Sequence, residues 1–243
     1  LIEPAGNRQW SFAHALLRET LQDTAKIEKS WHRWHNACAE VLQNRVDVAP
    51  ERLGEHFLAA GRYQEFLEPF LRAADYLRFA SDYDGSRARL LRAANALKAM
   101  NTPRDSRPWA DIRWRWAICA RVRGDFGSAF RQARRVRDMA EKTGEQVLLS
   151  RALLELGRSI DTVQGAELAI PYFLEAAEAA RNCGAPEMLV NCLNALARAY
   201  RSVSDFARSR AICEQAIKSC DPEQYPMMYG TALLSLARLE VFA

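Results

Sequence analysis

Glycine and proline are scarce in this 243-residue chain, with 11 and 9 copies, and no stretch alternates β-branched apolar residues with polar ones. Period-two alternation between frequent turns is the mark of strands, so a protein built on β-sheets has little support. The chain also lacks the run of roughly 18 to 20 apolar residues that a membrane helix requires. Since the first ten residues carry neither a basic leader nor an apolar signal core, we expect a cytoplasmic protein without a membrane partner.

Motifs that carry catalysis are missing as well. The sequence has no G-x-S-x-G, no H-E-x-x-H and no GxxxxGK[ST] phosphate loop. Its six cysteines form no CxxC pair, and we interpret them as buried, reduced thiols. His32 and His35 are spaced i, i+3, but no third ligand is spaced to join them. We therefore expect that this chain is not an enzyme and holds no metal and no cofactor of its own.

Helical spacing of apolar residues, in contrast, runs along nearly the whole chain, in which 49% of residues are hydrophobic. The hexamer LLELGR at Leu153 returns as LNALAR at Leu193 and as LLSLAR at Leu233, which is a period of 40 residues. Self-similarity at 20 to 50 residues indicates stacked units that cannot bury their apolar faces alone. Ten helices are predicted, over roughly 50–60, 63–80, 83–99, 107–123, 126–142, 145–161, 166–182, 186–202, 205–220 and 225–242.

The repeated positions follow a pattern of a large residue, Leu-Gly, an aromatic, and then Ala, Phe and Ala. Two sets of residues match it: Leu53, Gly54, Phe57, Gly61, Tyr63, Phe70 and Ala73, and then Leu153, Leu156, Gly157, Ala169, Phe173 and Ala176. This pattern resembles the tetratricopeptide repeat, which implies an all-α fold, a right-handed superhelix of antiparallel helix pairs. We assign residues 46–243 to about five such units, the last of them truncated, since the chain is expected to be a fragment of something longer.

Equivalent arginines end the repeated hexamers, and in a solenoid they form a ladder along one face. By resemblance, these positions line the concave groove, where guanidinium groups suit the carboxylates of an extended acidic peptide. The residues predicted to contact a partner are Arg158, Asn194, Arg198, Arg201 and Arg238. The alternative is that each arginine pairs with an acidic neighbour, such as Glu155 or Asp161, on a solvated face.

A second basic region spans residues 104–137, where ten arginines stand against three aspartates with Trp109, Trp114 and Trp116 between them. Basic residues interleaved with aromatics can bind single-stranded nucleic acid by charge and stacking. Helical spacing argues for a different interpretation, because Trp109 and Trp116 are seven residues apart and share a face as core tryptophans do. Nucleic-acid binding through this region is therefore kept as the alternative function.

The amino-terminal segment does not fit the repeat and reads as two helices within residues 10–42. Its ordered pattern comprises Phe12, His14, Leu16, Leu17, Arg18, Glu19, His32, Ala39, Leu42, Leu53, His56, Ala60, Gly61, Ala73 and Ala74. This order resembles the region after the nucleotide-binding module of bacterial signal-transduction ATPases with numerous domains. The resemblance implies that residues 1–45 end a winged-helix segment and continue as linker helices. It also implies that His14 contacts bound nucleotide, with ATP or ADP held by the missing module of the parent protein.

These observations together predict an interaction module of a larger signalling ATPase, of the transcriptional-regulator or kinase type. Its partners would be a protein, peptide or small effector in the groove and the parent's own nucleotide-binding module. Binding would shift the equilibrium between two states of the parent protein.

Overall fold

The computed structural model describes residues 2–4, 10–12, 15–45 and 47–240. Strand β1 (Ile2–Pro4) pairs with strand β2 (Trp10–Phe12) in antiparallel register, with Ile2 opposite Phe12. This pair was not predicted, because a strand of three residues is too short to show period-two alternation. The rest of the regular structure in the described residues is helical.

Twelve helices follow the strands in the described part of the chain, and their order matches the predicted all-α fold class. They are α1 (Ala15–Ile27), α2 (Trp31–Gln43), α3 (Pro50–Ala59), α4 (Leu67–Phe79), α5 (Tyr83–Ala99), α6 (Arg107–Val122), α7 (Phe126–Thr143), α8 (Gln146–Val163), α9 (Ala166–Asn182), α10 (Pro186–Ser202), α11 (Phe206–Lys218) and α12 (Pro226–Glu240). The ten predicted helices correspond to α3 to α12, and all but one begin within one residue of the expected position.

The exception is α4, which begins at Leu67 rather than at residue 63. Proline lacks a backbone N–H and is tolerated only in the first turn of a helix. A start at residue 63 would place Pro69 in the helix interior, whereas a start at Leu67 places it in the first turn. Between the two helices Gly61 adopts a positive φ of 74°, and Arg62 forms an ion pair with Glu65.

Three turns between helices share one construction, at residues 81–83, 124–126 and 204–206. The first residue of each turn has a positive φ, 63° at Ser81, 81° at Gly124 and 62° at Ser204, which ends the preceding helix. The aspartate that follows accepts a hydrogen bond from the backbone N–H three residues further on, at 2.8 to 3.0 Å. This N-cap satisfies one of the free donors of the next helix. The turn sequence therefore both stops one helix and starts the next.

The structure forms two compact units, Leu1–Leu77 and Arg78–Ala243. In the first unit, α2 packs on α3, and the core includes the buried rings of Phe57, Phe66 and Phe70. Gly54 lies so close to Phe70 that a Cβ at that position would be 3.0 Å from the ring atom Cδ2. The boundary predicted near residue 45, between the end of a winged-helix segment with its linker helices and the repeats, rests on sequence pattern and stays a prediction.

In the second unit, each helix from α5 to α12 packs on the next helix along the chain. Helices α6, α8, α10 and α12 also contact each other in turn, so that they form a row. The largest core cluster of this unit lies under α8, α9 and α10, where Phe173, Val190 and Leu193 are buried. This row of alternate helices carries the candidate site. Among the described residues, no helix is both long and apolar enough to span a membrane.

Candidate functional site

The five residues predicted to contact a partner line one cavity of about 240 Å³ in the row of alternate helices. Arg158 comes from α8, Asn194, Arg198 and Arg201 come from α10, and Arg238 comes from α12. Because successive units repeat the same geometry, equivalent side chains from three helices converge on the same space. We call this cavity the arginine cavity.

Four further residues line the arginine cavity and were not predicted from the sequence. They are Asn191 and Ala195 on α10 and Thr231 and Ser235 on α12. Asn191 and Thr231 occupy equivalent positions of the 40-residue period, and Ser235 lies at the position of Glu155. The period could therefore have identified them, but hydroxyl and amide side chains carry no charge signal of their own.

Arg158 is held at the base of this site by a buried carboxylate. Its Nη1 donates to Glu155 Oε1 at 2.8 Å, and Arg121 Nε donates to Glu155 Oε2 at 2.9 Å. Glu155 is only 3% exposed. Burial alone would raise the pKa of Glu155, but the charges and hydrogen bonds of Arg158 and Arg121 outweigh it and lower the pKa below its usual range. The carboxylate therefore stays ionised and fixes both guanidinium groups.

Arg198 on α10 pairs with an acidic residue of the preceding repeat. Its Nη2 donates to Asp161 Oδ2 at 3.0 Å, from α10 to α8, and half of the Arg198 side chain remains exposed. The acidic pairing that the alternative interpretation predicted is thus present for Arg158 and Arg198. Both arginines nevertheless line the cavity, because each ion pair occupies only one edge of the guanidinium group.

The other two arginines of the cavity differ in this respect. Among the side chains that the structure describes, neither Arg201 nor Arg238 forms a salt bridge. The 40-residue period explains this difference, since Arg201 stands where the preceding repeat has Asp161, and Ser235 stands two repeats after the position of Glu155. Loss of the acidic residue in the later unit leaves an excess of positive charge at this end of the cavity.

One uncharged group in the arginine cavity also lacks a partner. The side-chain oxygen Oδ1 of Asn194 is buried without a hydrogen bond to any described residue. A buried polar atom without a partner costs roughly 1 to 3 kcal/mol. A ligand that donates an N–H to Asn194 would remove this cost.

A second cavity, of about 540 Å³, shares Arg158, Asn191 and Thr231 with the arginine cavity. Its other lining residues are largely apolar and include Ile118, Leu154, Met188, Met227 and Met228. Trp114 also lines it, with the guanidinium groups of Arg115 and Arg151 at 4.4 and 4.7 Å from the indole ring. The indole Nε1 is buried without a described acceptor. The shared residues make the two cavities a continuous surface, polar at one end and apolar at the other.

The arginines of region 104–137 are largely committed to the protein itself. Arg107 pairs with Asp111 and Glu145, and Arg121 pairs with Glu155. Guanidinium groups also lie over the tryptophans of this region, where Arg104 is 4.1 Å from the Trp109 ring. These contacts occupy aromatic faces on which bases would have to stack.

His14, the residue predicted to contact nucleotide, lies outside the described residues. His32 and His35 do not converge on one point: His32 Nδ1 contacts the Ala59 carbonyl oxygen at 2.8 Å, and His35 Nδ1 lies 3.0 Å from His56 Nδ1. Among the described residues, no three histidine, cysteine or acidic side chains gather as ligands of a metal ion would.

The fold is shared with a solved structure of low sequence similarity. The crystal structure of BtubC (BKLC) from P. vanneervenii matches with a TM-score of 0.56 at 15% identity, over 87% of this chain and 89% of that chain. At this identity the match shows the fold alone, a helical protein whose helices pack consecutively. No protein-family model matches the chain, and no curated protein matches it either.

Proposed function

We propose that this chain is an interaction module that binds an extended acidic segment of a partner protein across α8, α10 and α12. The observation that carries the proposal is the convergence of Arg158, Arg198, Arg201 and Arg238 on the arginine cavity, where only the first two have acidic partners among the described side chains. Carboxylates of a ligand would pair with the two arginines that lack them. Electrostatic pairing of this kind contributes to specificity and to the rate of association.

The uncharged groups that line the two cavities indicate what the proposed ligand would contain besides carboxylates. Asn194 Oδ1 and Trp114 Nε1 are buried without a described partner. In the proposed complex the first would accept a backbone N–H of the ligand and the second would donate to a carbonyl oxygen. The apolar cavity beside them, with Leu154 and Met228, would take one apolar side chain of the same ligand. A peptide supplies all of these groups in a repeating backbone.

The repeat type and the parent protein are proposed from the resemblance of the sequence to known families. The helix pairs of residues 46–243 are proposed to be tetratricopeptide repeats in a right-handed superhelix, with the arginine cavity on the concave side. The parent protein is proposed to be a bacterial signalling ATPase, in which ligand binding shifts the orientation of its nucleotide-binding module. The full reading frame tests this part, since a GxxxxGK[ST] loop is expected upstream of residue 1.

A binding experiment tests the arginine cavity directly. The probe is a fluorescently labelled peptide of glutamate and leucine residues, and its control is the same peptide with glutamine in place of glutamate. We expect the double variant Arg201→Gln and Arg238→Gln to weaken binding of the acidic peptide by about tenfold or more, with affinity falling as salt rises.

The matched control is the double variant Arg131→Gln and Arg181→Gln, which removes the same charge from exposed positions outside the cavity. This variant should bind the acidic peptide as the unaltered chain does. Equal weakening in both double variants would mean that net charge alone attracts the peptide, and the proposed site would be wrong.

Nucleic-acid binding through region 104–137 remains the alternative function. It predicts that a single-stranded oligonucleotide binds with a steep dependence on salt. A mobility-shift assay at low salt distinguishes the two functions. If the oligonucleotide binds on α6 and α7, the acidic peptide, which is expected to bind in the arginine cavity, should not displace it.

A further inference from the structure

A separate cationic cavity, of about 610 Å³, lies where the loop after α5 meets α6 and α7. Four cationic side chains line it from three parts of the chain: Arg104 from the loop, Arg113 from α6, and Arg135 and Lys142 from α7. We call these four residues the cation cluster. None of them lines the arginine cavity.

The cation cluster carries more positive charge than its own surroundings offset. Among the described side chains, only two carboxylates line the same cavity, those of Asp105 and Asp138, and Asp138 Oδ1 already accepts a hydrogen bond from Arg137 at 3.2 Å. No member of the cluster forms a salt bridge with a carboxylate in the described part of the chain. Four cations against two carboxylates leave two positive charges for an anion to neutralise.

The fold holds these cations in place rather than letting them separate. Arg113 Nη1 donates to the backbone carbonyl oxygen of Arg104 at 2.6 Å, and both guanidinium groups lie over the buried Trp109 ring, at 4.1 and 5.5 Å. Partial burial, followed by the charges of Arg135 and Arg104, lowers the pKa of Arg113 from its ordinary value. Like charges are thus kept together at a free-energy cost that a bound anion would remove.

The arrangement of donors indicates the kind of anion. A carboxylate offers two oxygens in one plane, whereas a phosphoryl group offers oxygens in several directions and suits guanidinium groups that approach from a loop and two helices. The cavity volume is many times the roughly 30 Å³ that one water occupies, so more than one phosphoryl group fits. We propose that the cation cluster binds the phosphoryl groups of a small di- or triphosphate.

A nucleic-acid strand fits this surface less well. The Trp109 ring under the cluster is covered by Arg104 and Arg113, so it offers no face for a base. Neighbouring arginines of the same region are paired with carboxylates, as Arg107 is with Asp111 and Arg137 with Glu141. These carboxylate pairs interrupt the positive charge along which a strand would have to lie.

Isothermal titration calorimetry of the 243-residue chain tests the proposal, with inorganic triphosphate as the probe. We expect triphosphate to bind and Arg135→Gln to weaken it by about tenfold or more. The matched control is Arg134→Gln, which removes an exposed arginine of the same helix that does not line the cavity, and it should leave the affinity unchanged. Absence of binding, or equal effects of the two substitutions, would overturn the proposal.

Titrations with ATP, citrate and an oligonucleotide distinguish recognition of phosphoryl groups from general attraction of anions and from nucleic-acid binding. ATP should bind as inorganic triphosphate does, since no aromatic face is open to the base, and the tricarboxylate citrate should bind more weakly. The proposal would be overturned if citrate bound as tightly as triphosphate does. It would also be overturned if a single-stranded oligonucleotide bound more tightly than triphosphate and depended equally on Arg134 and Arg135. Arg113→Gln is a second variant, and its thermal midpoint of unfolding is measured beside its affinity. It should lose triphosphate binding without a fall in the thermal midpoint, which would show that the loss of binding is not caused by misfolding.

Discussion

The Phe173 ring on α9 lies against Gly157 on α8 so closely that a Cβ added to the glycine would be 2.6 Å from ring atom Cε1. Phe173 is fully buried, so its ring has no open space to enter. The glycine of the repeated hexamer is therefore a packing requirement, which only a residue without a side chain meets.

We expect Gly157→Ala to destabilise the chain by up to about 2 kcal/mol. Alanine favours a helix over glycine by about 1 kcal/mol, but forcing a methyl group into a filled core costs about 1 to 3 kcal/mol. Gly230→Ala in α12 is the matched control, since a Cβ there meets nothing within 4 Å, and it should be neutral or stabilising. Urea unfolding followed by circular dichroism measures both, and equal shifts would contradict the packing argument.

Glu155→Gln is expected to destabilise the chain by about 2 to 4 kcal/mol, because it removes the buried charge that Arg121 and Arg158 share. The exposed Glu178→Gln on α9 is the control and should change stability by less than about 0.5 kcal/mol. Since the folded pKa of Glu155 is lowered, its stabilising contribution is present above the unfolded pKa and is lost as the pH falls through the folded one. An acid titration of unfolding free energy should therefore show a smaller loss in the variant.

The pair of His35 and His56 should make the stability of the chain depend on pH near neutrality. Burial lowers the pKa of both rings, and repulsion from His32 adds to this at His35. At His56 the charges of His35 and Arg52 lower the pKa further, while Glu55 raises it. The unfolded chain therefore takes up protons first as the pH falls below 6.5, the ordinary value. Stability is full above that pH and decreases as the pH falls towards the folded pKa values.

Urea unfolding at about pH 7.5 and about pH 5.5 measures this effect. The double variant His35→Gln and His56→Gln should lose most of the difference between the two conditions. His32→Gln should retain most of it, because the His35 and His56 rings remain together, at 3.0 Å between their Nδ1 atoms. A difference that persists in the double variant would assign the pH dependence to other groups.

The thiols should differ widely in reactivity. Burial raises the pKa of Cys192 to about 11, and its Sγ lies 3.5 Å from Ser150 Oγ, whereas Cys38 is exposed. Because the thiolate is the reactive form, alkylation at about pH 8 should modify Cys38 rapidly and Cys192 only on unfolding. Mass spectrometry of peptides after timed alkylation checks this order, and similar rates at the two sites would contradict it.

Most helix boundaries could be predicted because the turn residues and the spacing of the apolar residues indicate the same positions along this chain. The turn at residues 124–126 combines a glycine that stops α6 with an aspartate that caps α7, and both signals are local. The start of α4 was predicted wrongly because the apolar pattern continues through the turn, and only Pro69 indicates the later start.

The candidate site could be predicted only in part. Equivalent positions of the period identified Arg158, Arg198 and Arg238 because repetition places them in a row. Which arginines pair with acidic residues depends on the offset between neighbouring helices, as between Arg198 and Asp161, and the sequence alone does not give that offset. The cation cluster was missed because Arg104 reaches it from a loop outside the period.

The packing of each helix in the second unit on its neighbours along the chain also bears on how this unit folds. Most of its contacts join segments that are close in sequence, so little chain entropy is lost before contacts form, and such topologies fold rapidly. Folding can begin at any helix pair and spread in both directions. A chain shortened after α9 should therefore keep its earlier helices folded, because each of them retains the neighbours along the chain on which it packs.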